Sequence, residues 1–247
     1  MENILLPEYP QNTDIWRELQ KEKRPIVVYG MGNGADKLIS QLSRYGLKVS
    51  DFFASDGFVR GHSFHGKRVL SFSEIKEKYE DFVILVSFAS KLPDVIERIY
   101  NLAKEYTLYV PDMPVVDECY FTFDFYNENY GKIKKAYDLL EDNYSKMLFS
   151  SVIKYKLSGD IRYLSDCVSK EECYGLLNSF SYESVVDAGA YNGDTAKEFC
   201  DYFKNLKKIY AIEPDPKNCA KLRKYADSVD LSIEITEAAL WSMDGEV

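Results

Sequence analysis

The side chains of this sequence best suited to chemistry are acids set beside glycines. In Val185-Val186-Asp187-Ala188-Gly189-Ala190-Tyr191-Asn192-Gly193-Asp194-Thr195, two β-branched residues read as the end of a buried strand. Gly189 and Gly193 then let the backbone turn tightly and approach a ligand, and Thr195 opens an amphipathic helix through Phe203. Such a strand, turn and helix cradle a small ligand. Asp187 falls at the carboxyl end of the strand, inside the cradle, where it repels a pyrophosphate and favours a cation. Ile209-Tyr210-Ala211-Ile212-Glu213 reads as the next parallel strand, with Glu213 twenty residues after Gly193. A carboxylate at that strand tip can accept both hydroxyls of a ribose. Pro214-Asp215-Pro216 then stops the strand.

A nucleoside with positive charge and no phosphate suits both acids. S-adenosylmethionine, with its ammonium and sulfonium, is such a molecule and is the cofactor expected here. Asp187, Gly189 and Gly193 are its candidate contacts around the methionine portion, Glu213 on the ribose, and the Pro214-Asp215 turn beside the adenosine, with Ala190 a further cofactor-binding candidate. Tyr191 and Asn192 lie in the loop, where backbone N–H groups can reach a ligand. Asp194 stands equally for a helix cap and a ligand contact.

At these residues the chain resembles the class I S-adenosylmethionine-dependent methyltransferases, and VVDAGAYNGDT with IYAIEPDP resembles the FkbM family in particular. EAALWSMDGEV, from Glu237 to Val247, is similar to that family's segment after the third strand. DNYSKMLFSSVIKYKLSGDIRYL, residues 142–164, is similar to its helical lead-in, so the resemblance covers about residues 117–247. It implies an O-methyltransferase acting on a hydroxyl of a sugar, polysaccharide precursor or polyketide, with Glu237 and Ala238 beside the adenine ring. It also implies a chain cut short, because a class I sheet has further strands that would follow Val247. A hydroxyl acceptor needs a base. In the family that function lies largely in the later portion, so no catalytic residue is named.

The elements that position these groups alternate strand and helix. Ile26 to Tyr29 reads as the first strand, followed by Gly30-Met31-Gly32-Asn33-Gly34-Ala35 and a helix to about Tyr45, which satisfies G-x-G-x-x-[GA] in its required setting. The second strand, Val49 to Ala54, ends near Asp56, twenty-six residues beyond Gly30. Gly30, Gly32, Asn33, Gly34 and Asp56 therefore form a candidate second site, for a nucleotide or NAD. Asp36 opposes this, since an acid in the first turn already uses the positive helix end. The other reading is that the glycines only permit close strand-to-helix packing. His62 and His65 fall in a glycine-flanked loop without a third ligand, so no metal site is expected.

Lys67 to Phe72 reads as an edge strand, Phe82 to Ser87 as a buried one and Thr107 to Val110 as the last, with helices over Ser73 to Tyr79 and Lys91 to Tyr106. Helices over Tyr130 to Leu140, Asp142 to Leu157 and about Ile161 to Val168 follow. The second α/β part gives strands Ser184 to Ala188, Lys208 to Glu213 and Leu231 to Thr236, with helices Thr195 to Phe203 and Lys217 to Tyr225. The fold class is α/β, with two Rossmann-like doubly wound domains joined by a helical segment, the second an incomplete class I methyltransferase sheet. The plan is an approach segment 1–24, with a helix around Asp14 to Lys23, a Rossmann-like domain 25–116, a helical linker 117–180 and the start of the methyltransferase domain 181–247. The first domain resembles nucleotide-binding-like modules that precede enzymes of polysaccharide biosynthesis.

For a chain of 247 residues, a net charge of -9 argues against nucleic acid as the main partner, since a phosphate backbone wants a basic face. Its five cysteines form no CxxC pair, which fits free thiols in a reducing cytoplasm, and the N-terminal stretch has neither a signal peptide's charge pattern nor a membrane span. The 20 Tyr and 14 Phe favour core and interface packing over sugar stacking. The partner expected is a small-molecule or glycan acceptor, and the sequence specifies no oligomeric state. Two rival functions remain. One is a non-catalytic nucleotide- or nucleotide-sugar-binding protein of glycan biosynthesis. The other, an NAD-dependent oxidoreductase, is disfavoured because no Tyr-x-x-x-Lys pair follows the first glycine turn at a usable place.

Overall fold

The computed structural model describes residues 13–55, 59, 61–90, 92–114, 119–165, 167, 170–242 and 245, and the chain divides into two units, Met1–Cys167 and Val168–Val247. In the first unit, Ile26–Tyr29 (β1) is apolar and buried at every position, so it needs cover on both faces. It lies at the centre of a five-stranded sheet. Asp51–Ala54 (β2) and Leu70–Ser71 (β5) stand to one side of it, Val83–Val86 (β6) and Thr107–Tyr109 (β7) to the other, in the order β5-β2-β1-β6-β7 with all strands parallel.

The alternation of side chains across the pleat separates two cores. Ile26, Val28, Phe52, Val83 and Leu85 face Ile15–Leu19 (α1) and Asn33–Arg44 (α2), where Trp16, Leu38 and Leu42 are buried. Val27, Tyr29, Phe53, Ile84 and Val86 face Phe72–Lys78 (α3) and Pro93–Glu105 (α4), through Ile75, Ile99 and Leu102. Each such large apolar side chain contributes roughly 1.5–3 kcal/mol on burial. The unit is doubly wound, as the alternating pattern predicts.

Two details differ from the sequence reading. Lys67 to Phe72 is not one edge strand: Lys67–Arg68 (β4) pairs antiparallel with Ser63–Phe64 (β3), and only β5 joins the main sheet. The two-residue turn between them, His65 and Gly66, has φ of 47° and 74°, the conformation that closes a tight hairpin. Ser71 then caps α3, its hydroxyl and the Glu74 carboxylate bonding reciprocally to each other's backbone N–H, so Phe72 is helical.

The helical segment, read from sequence as residues 117–180, falls within the first unit as far as Cys167. Phe123–Glu128 (α5), Tyr130–Asp138 (α6), Asn143–Ser158 (α7) and a 3-10 turn, Ile161–Leu164, all belong to it. The buried Asp14 carboxylate both caps α1 and accepts the Phe123 N–H at 2.9 Å. The Val110 N–H donates to the Gly159 carbonyl at 2.7 Å, which fastens the end of α7 beside β7.

The second unit holds Lys170–Leu177 (α8) and a parallel sheet of Ser184–Ala188 (β8), Lys208–Ile212 (β9) and Ser232–Thr236 (β10), in the order β10-β9-β8. Asp194–Tyr202 (α9) and Pro216–Ala226 (α10) pack through Ala196 and Leu222 onto Val185, Ile209, Ala211, Ile233 and Ile235. These residues share one face. On the other, Val186 is 62% exposed and its register partner Tyr210 39%. The second unit is thus covered on one face only among the described residues, which corrects the doubly wound expectation for it. No helix among the described residues is long and apolar enough to cross a membrane.

Candidate functional site

The acids predicted from sequence come to the carboxyl ends of adjacent strands. Asp187 lies opposite Ala211 in the β8–β9 register, and Glu213 follows β9 directly. Both are 6% exposed. They differ in how they are satisfied. The Asp187 Oδ2 atom is buried with no hydrogen-bond partner among the described residues. Burial first, and the Asp194 carboxylate second, raise the Asp187 pKa above the ordinary aspartate value. Glu213 instead gathers donors: Oε2 accepts the Tyr191 N–H at 2.9 Å, and Oε1 accepts the Asp215 N–H at 3.0 Å and the Asn218 side-chain amide at 3.3 Å.

Between the acids the glycine loop has the backbone its sequence demands. Gly189 and Gly193 have φ of +89° and +93°. A Cβ on Gly189 would meet open space, whereas one on Gly193 would meet the Tyr225 ring at 2.9 Å, so Gly193 serves close packing against α10. The Gly189 and Ala190 N–H groups both donate to the Ile212 carbonyl, at 2.8 and 3.0 Å. Ala190 is wholly buried and its methyl joins the core, so it offers a ligand no side chain. Tyr191 adopts φ 45°, unusual outside glycine, and its half-exposed ring lies 5.7 Å from the Lys221 ammonium. Asn192 is half-buried in the same loop. Asp194 is the first residue of α9, and no side chain caps that helix.

Farther along, Pro214 is exposed and Asp215 caps α10, its carboxylate accepting the N–H groups of Lys217 and Asn218. Glu237 is exposed and paired with Arg223 at 2.9 Å, and the Ala238 N–H turns back to the Thr236 carbonyl. Sequence reasoning missed Asn218, whose only signal is its place three residues after the Asp215 cap. It also missed Lys221 and Arg223.

The second candidate site lies in the first unit. Gly30 and Gly32 have φ of +112° and +91°, and α2 starts at Asn33. A Cβ on Gly34 would fall 1.9 Å from the Ser87 carbonyl oxygen, so the missing side chain lets the start of α2 touch the end of β6. The Asp36 carboxylate accepts a hydrogen bond from His65 Nε2 at 2.7 Å, which ties the β3–β4 hairpin to α2. Asp56 lies outside the described residues. No group of three metal-ligating side chains occurs among the described residues.

A parallel strand, a glycine turn and an acid on the next strand make a Rossmann-like α/β arrangement. Among solved structures, the chain is similar to methyltransferase FkbM from Methylobacillus flagellatus KT, with 14% identity and a TM-score of 0.59, over 97% of this chain and 68% of that one. That likeness gives the chain a methyltransferase fold. No family model and no curated protein matches it.

Proposed function

We propose that the chain binds S-adenosylmethionine in its second unit and serves an FkbM-type methyltransferase, acting on a hydroxyl of a sugar, polysaccharide precursor or polyketide. The observation that carries this reading is the Asp187 carboxylate, buried at a strand tip with an oxygen lacking any partner among the described residues. An unsatisfied buried acceptor costs about 1–3 kcal/mol, and a ligand ammonium removes that cost while keeping the charge paired. The similarity of fold adds independent support.

In this reading Asp187 holds the ammonium and the open side of Gly189 lets the backbone lie against the methionine chain. Three of the roughly four acceptor sites on Glu213 already serve the protein, so it takes one ribose hydroxyl rather than two. Pro214, Asp215, Glu237 and Ala238 border the adenosine. The cofactor supplies an electrophilic methyl group on a sulfonium, and these residues align it for in-line attack. The base that deprotonates the acceptor is assigned to no residue of this chain. The free cysteines accord with a cytoplasmic setting.

Calorimetric titration of the full chain with S-adenosylmethionine and S-adenosylhomocysteine tests the reading. Binding of both is expected, with a loss of about tenfold or more in Asp187→Ala. A silent titration with both, or a variant that binds as tightly as the parent, refutes it.

A further inference from the structure

The carboxyl ends of β1 and β6 mark the place in the first sheet where strand order reverses, which is where open α/β sheets receive ligands. A cavity of about 450 Å³ opens there on the side of β6 and β7. Met31, Phe88, Pro111 and Met113 make its walls apolar, and Lys37 and Tyr155 are polar groups on them. The Tyr155 hydroxyl has no hydrogen-bond partner among the described residues. Burial first, then the nearby Asp112 carboxylate, pushes its pKa up to about 12, so it is a donor at neutral pH. Lys37 Nζ reaches the same wall and donates to the Pro114 carbonyl at 2.6 Å. Asp112, the one acid on the lining among the described residues, is engaged by Lys156 at 2.6 Å.

We propose that this cavity binds an oxyanion, phosphate or carboxylate, carried on a planar or apolar body no larger than a mononucleotide. The head group would be held by the Tyr155 hydroxyl and the Lys37 ammonium. The upper size limit follows from Phe88. A Cβ on Gly30 would meet the Phe88 ring at 2.6 Å, so the ring lies directly on the glycine over which a pyrophosphate would cross. In the first turn of α2, the Asp36 carboxylate, 2.7 Å from His65 Nε2, disfavours a second phosphate by like charge. The ligand is therefore confined to the side of β6 and β7, and a dinucleotide is excluded.

Calorimetry on the full chain tests this with adenosine monophosphate, uridine monophosphate, para-hydroxybenzoate and NAD as probes. The nucleotides carry a phosphate head and the benzoate a carboxylate, so the arm that responds identifies the anion. At least one of these three is expected to bind more tightly than NAD. Tyr155→Phe and Lys37→Met should each weaken that binding by about tenfold with thermal unfolding of the variant unchanged in Tyr155→Phe. The proposal is overturned if none of the three binds, if NAD binds most tightly, or if both variants bind as the parent does.

Discussion

Replacing Asp187 with Asn should strengthen the unliganded fold while weakening the ligand complex. The carboxylate is 6% exposed, one oxygen has no partner among the described residues, and Asp194 adds like charge, so its ionised form is costly in the native state. Removing the charge but keeping the shape relieves the burial of an ionised group and its repulsion from Asp194, and should recover about 1 kcal/mol. The pH dependence has a definite sign. Because folding raises this pKa, the native state holds the proton more tightly, and wild-type stability falls as pH rises above the reference value of 3.8 through the folded-state value. The gain from Asn is therefore full at neutral pH and vanishes in acid. Hydrogen exchange at the β8–β9 amides, followed across that range, reads the stability of the second unit alone. Calorimetry with S-adenosylmethionine reads the other half, an expected loss of about tenfold or more. A variant that is less protected than the parent at neutral pH, or a gain that persists unchanged into acid, would refute the reasoning.

Three other perturbations are informative. Glu213→Gln leaves a single acceptor oxygen for the N–H groups of Tyr191 and Asp215, and should cost about 1–3 kcal/mol in urea unfolding of the second unit. Gly34→Ala drives a methyl into the Ser87 carbonyl and should cost about 3 kcal/mol, read as a lower denaturation midpoint of the first unit. Hydrogen bonding from Arg24 lowers the Glu22 pKa from 4.5 to about 2, so its contribution is complete above 4.5 and is lost as pH falls towards 2. Glu22→Gln should accordingly cost about 1 kcal/mol at neutral pH, and the difference in unfolding midpoint should close in acid.

What the sequence made legible follows the strength of its periodic signals. The bounds of β8 match the expected strand, and α9 and α10 each begin one residue earlier than the pattern implies, at Asp194 and Pro216. The apolar run at Val83–Val86 is covered on both faces, as a run without polar alternation requires. The β3–β4 hairpin escaped because strands of two residues leave no period to detect. The bare face of the second sheet was concealed because Val186 and Tyr210 are as apolar as residues that do become buried. At the candidate site, residue type and interval pointed to Asp187 and Glu213. They carried no trace of the backbone amides that bond to Glu213 and leave one Asp187 oxygen unsatisfied, since such bonds depend on loop conformation. The cavity in the first unit was equally hidden, because Tyr155 reaches it from a helix far along the chain.

The clasp formed by Glu213 sets a rule for length. One side chain fastens the middle of the glycine loop through Tyr191 and the first turn of α10 through Asp215 and Asn218. A residue inserted between Gly189 and Gly193 would carry the Tyr191 amide out of reach, and the same slack would pass to the neighbouring helix. Substitutions are therefore tolerated in this loop more readily than insertions, whatever their polarity.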